Sequence, residues 1–282
     1  MTTVAIIGAG ELGGATAQAL AAQESADRLV LIDAAADIAA GKALDIRQAG
    51  AIDRYHTHLE GTSDLSGAIG CSVCVIADRA GQSPSEWQGE EGLSMLARLA
   101  RYLADAPVVF AGSTQADLIA LGAREVPLRR ERLIGSLPEA LASSLAAVVA
   151  VEARCSSTDV NLAVLGAPPA GFLVLWSEAT IGGYALERVL TPVQLARIEA
   201  RATCLWPPGQ YALAAAAARV VAGILHASRR SFTVLTPLGG EFGVRHRAAA
   251  LPVVLAPPGI VHIRVPALSA RDRVRLETAL DA

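Results

Sequence analysis

Thr3-Val-Ala-Ile-Ile-Gly8-Ala-Gly10-Glu-Leu-Gly13 is the stretch that decides the fold of this chain. A β-prone apolar run ends on three glycines spaced GxGxxG, and an Ala/Leu-rich helical pattern opens directly after them. Each glycine answers a separate physical need. Gly8 permits a tight turn, Gly10 lets backbone approach a diphosphate, and Gly13 lets the helix pack on the strand. The helix start, with Glu11 and Leu12 in its first turn, offers unpaired N–H groups to phosphate.

A lone GxGxxG is weak, but here the second strand supports it. Residues 28–32 form another apolar run that ends on Asp33, twenty residues beyond Gly13. A carboxylate there accepts hydrogen bonds from an adenosine ribose and repels a 2′-phosphate, which favours NAD over NADP. Glu11 counts against it, because a carboxylate beside a diphosphate is mildly repulsive. A Rossmann-type domain that binds another adenosine ligand, or none, is the bland alternative.

Outward from this point, strands are expected at residues 3–7, 28–32, 71–77, 108–111 and 133–135. Helices are expected between them at 12–23, 36–48, 90–103 and 117–123. This alternation implies an α/β fold, a Rossmann-type doubly wound parallel sheet. The pattern changes near residue 136. A helix over 138–152, strands over 159–165 and 171–176, a helix over 209–225 and strands over 232–238 and 251–255 read as a smaller mixed α+β domain. Thr191 and Gln194 form a capping-box signature, Trp206-Pro-Pro-Gly209 stops the helix begun there, and Ser269 caps a last helix. The expected domains are therefore 1–136, which binds the nucleotide, and 137–282.

The 282 residues are 52% apolar and 18% charged, which excludes a disordered chain. A net charge of −3 gives no electrostatic footprint for nucleic acid or an anionic membrane. The chain opens straight into a strand without a basic leader, so a cytoplasmic location is expected. Cys71 and Cys74 have CxxC spacing, but on a strand their sulfurs diverge and no second ligand pair exists. They read as buried thiols, and no metal site is expected.

Several further segments keep a common order. Gly41-Lys-Ala-Leu-Asp45, Gly61-Thr-Ser-Asp64, Arg132-Leu-Ile-Gly135, Val164-Leu-Gly166, Gly240-Glu-Phe-Gly243 and Leu251-Pro-Val-Val-Leu255 together resemble the lactate/malate dehydrogenase family. The resemblance runs from residue 3 to the C-terminus. It implies an NAD-binding domain, a substrate domain, a small-molecule ligand and a homo-oligomer, dimer or tetramer. Carried over through these anchors, the cofactor positions are Gly8, Gly10, Glu11, Leu12, Gly13, Asp33, Ala77 and Ser113, the last in place of an asparagine near the nicotinamide ribose. After the third expected strand, the family's Thr-Ala-Gly reads Ala77-Asp78-Arg79.

The positions that perform the family's chemistry read differently. The acid/base histidine falls on Pro168, the aspartate that orients it on Leu141, and the substrate-gripping arginine on Ser144. The loop over residues 82–91 normally adds arginine; here it holds Glu86, Glu90 and Glu91 and no Arg. Oxidising a 2-hydroxy acid needs a base for the hydroxyl proton, and losing one costs roughly 10²–10⁴ in rate. The substrate carboxylate also needs a cation, ideally a bidentate Arg. No catalytic residue is therefore assigned. The five histidines, His56, His58, His226, His246 and His262, fall elsewhere, the first two in a polar turn and His226 at a helix end.

The leading expectation is a family member that retains the fold and NAD(H) but not 2-hydroxy acid turnover, with a binding or regulatory role. An active NAD-dependent oxidoreductase, rebuilt around the acidic loop for an uncharged or cationic substrate, is the alternative. A scaffold that binds no nucleotide is the third.

Overall fold

β1 (Thr3–Ile7), α1 (Glu11–Ala22), β2 (Arg28–Ile32), α2 (Ala36–Asp53), β3 (His58–Thr62), β4 (Val73–Ile76), α3 (Gly89–Leu99), β5 (Val108–Phe110), α4 (Ala116–Glu125) and β6 (Leu133–Gly135) follow one another through the first half of the chain. The structure is a computed structural model and describes residues 1–168 and 171–281. Its six first strands lie parallel in the order β3-β2-β1-β4-β5-β6. Val4, Ile6, Leu29, Leu31, Val75 and Phe110 are fully buried in it, as continuous apolar runs demand when helices cover both faces.

The second half comprises α5 (Leu137–Ala153), β7 (Val160–Asn161), β8 (Val164–Ala167), β9 (Gly171–Val174), β10 (Thr180–Ile181), β11 (Tyr184–Ala185), α6 (Leu186–Val189), α7 (Pro192–Ala202), α8 (Gln210–Leu225), β12 (Ser231–Gly239), β13 (Arg245–Ala256), β14 (Gly259–Ile263) and α9 (Ala270–Asp281). Its larger strands extend the first sheet rather than starting a new one. β12 pairs antiparallel with β6 through Leu235 and Gly135, and β13, β8 and β9 continue outward. Gly135 has no Cβ because one would sit 2.8 Å from the Leu235 side chain. β7, β10 and β11 form a small separate sheet.

α8 is the element that ties the halves together. Its alanine-rich face, including Ala214, Ala217 and Ala218, is buried, and the helix packs on both α1 and α5. Small side chains permit such close helix approach. The structure also bears out the expected caps. Thr191 and Gln194 exchange hydrogen bonds at the start of α7, and Ser269 Oγ accepts the Asp272 N–H at 3.1 Å.

Four strands were not legible in the sequence: β3, β14 and the two-residue β10 and β11. β3 is an edge strand whose His58 and Glu60 lie toward solvent, so its polar alternation looks like a turn. His58 therefore lies on a strand, not in the expected turn. β14 is a short edge strand carrying His262, and β13 begins at Arg245, earlier than expected, so His246 lies on it. No helix among the described residues is long and apolar enough to cross a membrane.

Candidate functional site

β1 lies between β2 and β4, so the chain leaves the sheet in opposite directions on the two sides of that point. A crevice opens there at the carboxyl ends of the strands, the usual ligand position in such a sheet. Gly8 turns the chain out of β1 with φ +109, and a Cβ there would strike the Asp78 carbonyl. A Cβ on Gly13 would strike the Gly8 carbonyl, so α1 rests directly on the turn. Both glycines do what their spacing suggested.

Gly10 does something further. A Cβ on it would collide with the Asp78 carboxylate rather than with empty space. The Gly10 N–H donates to the Asp78 carbonyl at 2.9 Å, and the Gly13 N–H donates to Asp78 Oδ1 at 2.8 Å. A carboxylate thus occupies part of the α1 N-terminus, where the helix dipole favours an anion. Glu11 is exposed beside it, and Leu12 is buried toward the core. Lys42, the chain's only lysine, reaches over from α2 and donates from Nζ to the Gly10 carbonyl at 2.6 Å.

Asp33 ends β2 and is only 6% exposed. Its Oδ2 accepts the N–H groups of Ala9 at 2.8 Å and Ala80 at 2.9 Å, and its Oδ1 accepts that of Ala35 at 2.9 Å. Three amides hold this carboxylate at the wall of a cavity of about 300 Å³. Gly8, Leu65, Arg79, Trp87 and Met95 complete much of the lining. A cavity of that size, lined about equally by apolar and polar groups, suits a heterocycle joined to a sugar.

The loop from Asp78 to α3 folds inward across the crevice. Arg79 donates to the Pro84 carbonyl at 2.8 Å, pairs with Glu91 at 2.5 Å and stacks 4.6 Å above the Trp87 ring. Asp78 and Glu86 face each other as an antiparallel bridge. The Glu86 carboxylate then crosses to the residues after β5. Oε1 accepts Ser113 N–H at 2.9 Å and Ser113 Oγ–H at 3.1 Å; Oε2 accepts Thr114 N–H at 2.8 Å and Thr114 Oγ1–H at 2.6 Å. Gly112 has no room for a Cβ because this carboxylate lies against it. Ala77, between β4 and the loop, is fully buried and donates to the Ile7 carbonyl at 2.9 Å.

In the second half, Leu141 projects from α5 into an apolar cluster with Leu145, Val164 and Val174, and is fully buried. Ser144, one turn on, turns its hydroxyl back to the Ala140 carbonyl at 3.0 Å. Pro168 is buried in the turn after β8; Pro169 and Ala170 lie outside the described residues. The nearest enclosed carboxylate on α5 is Glu139, which accepts the Thr233 N–H at 2.6 Å and pairs with Arg219 of α8 at 3.2 Å. Burial pushes its carboxyl above the usual range, with the Arg219 charge opposing.

Comparison with known proteins places this arrangement. Residues 2–89 match the family described as lactate/malate dehydrogenase, NAD binding domain. The malate dehydrogenase of Thioalkalivibrio sulfidiphilus is 27% identical over 297 residues, spanning 99% of this chain and 96% of its own. That of Thermomicrobium roseum is 28% identical, spanning 99% and 95%. Over nearly its whole length the chain is similar to malate dehydrogenases, and its first 89 residues carry the match to the lactate/malate dehydrogenase NAD-binding domain. The malate dehydrogenase from Aeropyrum pernix shares the fold, with a TM-score of 0.86 at 22% identity over 99% of this chain and 95% of its own.

Residues 2–89 are thus an NAD-binding domain of the lactate/malate dehydrogenase type. Asp33 stands at the wall of the cavity at the end of β2. Gly10, Glu11, Lys42 and Asp78 line a second opening at the start of α1, and Ser113 stands apart from it, bonded to Glu86. The Asp78 carboxylate lies at the α1 N-terminus and that of Glu86 beside Ser113 and Thr114. The glycine spacing and Asp33 were readable in advance. That Asp78 and Glu86 reach back to Gly13, Ser113 and Thr114 was not, because each bond spans at least 27 residues.

Cys71 and Cys74 are buried free thiols, with Cys71 pushed up to about 11 by desolvation and Cys74 also raised by it. Thiols in that state are inert. Among the described residues, no group of three or more His, Cys, Asp or Glu could hold a metal ion.

Proposed function

We propose that this chain is a nucleotide-binding member of the lactate/malate dehydrogenase family that does not oxidise 2-hydroxy acids, and that it acts by binding or regulation. The single observation that carries the reading is Leu141. At the position where the family's orienting aspartate is expected, a fully buried leucine packs among Leu145, Val164 and Val174. No charged or hydrogen-bonding group can be held at that point of α5. Ser144 offers a hydroxyl already turned to its own helix where a guanidinium is expected, and Pro168 has no titratable group. Proton removal and anion capture therefore fail together.

The rebuilt-oxidoreductase reading drew its motive from the acidic loop. That loop uses Glu86 on Ser113 and Thr114 and Glu91 on Arg79, and its third carboxylate, Glu90, is exposed on the first turn of α3. The non-catalytic reading is therefore preferred. It includes a cytoplasmic location and a homo-oligomeric chain, the latter supported by the exposed apolar residues Ile38, Leu44 and Ile52 of α2. The test is a titration with NADH, read by tryptophan quenching, beside steady-state assays with pyruvate and oxaloacetate. Saturable quenching without NADH consumption supports the reading; consumption with either keto acid overturns it.

A further inference from the structure

Glu86 is the polar side chain of the crevice whose arrangement asks for an explanation. It lies in a loop, yet its carboxylate receives four hydrogen bonds, two from backbone N–H groups and two from the hydroxyls of Ser113 and Thr114. Thr114 Oγ1 is itself held by Gln88 Nε2 at 2.5 Å. Charge-assisted bonds of this kind are roughly twice as strong as neutral ones. The loop that carries Glu86 is fixed by Arg79, through Pro84, Glu91 and the Trp87 face. A dinucleotide laid across the strand ends runs from the β2 side, over the β1–β4 switch, to the β5 side. Glu86 stands at the last of these stations. The first station, the cavity beside Asp33, is open.

We propose that Glu86 makes the site selective for adenosine nucleotides that stop short of the nicotinamide ribose, with ADP-ribose as the matching chemical class. The proposal rests on the nucleotide-binding reading given above. The ADP-ribosyl part of any ligand meets the cavity, Lys42 and the start of α1. The nicotinamide riboside part meets a position already filled by an internal anion, and must displace four hydrogen bonds to enter. Nicotinamide therefore adds no affinity in this chain. No covalent step is involved; the selection is one of binding alone.

Calorimetric titration of the full chain with ADP-ribose, AMP and NADH tests this. ADP-ribose is expected to bind at least as tightly as NADH in the wild-type protein. In Glu86→Ala, NADH affinity is expected to rise by at least about tenfold while ADP-ribose changes little. Glu86→Gln, which keeps the size but removes the charge, is expected to shift NADH in the same direction by less. The wild-type comparison needs no variant to fold. NADH binding tenfold or more tightly than ADP-ribose, or an NADH to ADP-ribose ratio unmoved by Glu86→Ala, overturns the proposal and leaves the nucleotide-binding reading intact. Binding of none of the three ligands overturns both.

Discussion

The carboxylate of Asp78 accepts the Gly13 N–H at 2.8 Å, so α1 is capped by a side chain from across the switch between β1 and β4. One residue therefore stabilises the nucleotide domain and competes for its anion site. Asp78→Ala is expected to lower stability by about 1 kcal/mol, the usual cost of a lost helix cap. It is also expected to tighten NADH binding, because an amide of the α1 N-terminus becomes available to the diphosphate. Urea unfolding and NADH titration of the same variant read the two effects. Lower stability with weaker NADH binding would show that Asp78 organises the loop without competing for it.

Leu141 gives a prediction of opposite character. Restoring a carboxylate by Leu141→Asp places a charge in a fully buried apolar cluster with no partner. The expected loss is about 3–5 kcal/mol, as for an uncompensated buried charge. Thermal unfolding measures it directly. A variant as stable as wild type would mean that the region near Leu141 is wet and that a substrate pocket persists there.

The parts of the fold written in local sequence were the ones that could be read. β1, β2, β5 and β6 announce themselves as apolar runs, and the caps at Thr191 and Ser269 depend on residues three positions apart. β3 and β14 were hidden because edge strands need only one pairing neighbour and tolerate polar residues. The site divides in the same way. Gly8, Gly13 and Asp33 are recognisable by spacing, whereas the Glu86 bonds to Ser113 and Thr114 depend on how a loop folds over the sheet. Glu86 stands out in the sequence as one of three glutamates in a loop without arginine, but its partners are out of reach of any local pattern.

Glu139 and Arg219 join α5 to α8 at 3.2 Å, with side-chain exposures of 10% and 60%. Burial raises the Glu139 carboxyl above its unfolded range, so the native chain holds this proton more firmly than the unfolded chain does. Glu139 then makes the native state less stable as pH rises from about 4 through its raised native value. Arg219→Ala removes the opposing charge and raises that value further. The stability deficit of this variant is expected to be larger at about pH 8 than at about pH 4, as measured by urea midpoints. An equal deficit at both values would assign the Arg219 contribution to packing against Phe232, whose ring lies 5.9 Å from its guanidinium.

The most direct measurement is a single-turnover experiment on the protein with NADH already bound. Pyruvate or oxaloacetate is added in excess, and the fluorescence of bound NADH is followed while the mixture is sampled for lactate or malate. The NADH signal is expected to persist with no hydroxy acid formed, since neither a proton-transferring group nor a carboxylate clamp stands at Pro168, Leu141 and Ser144. Stoichiometric loss of the signal, matched by lactate or malate, would contradict it.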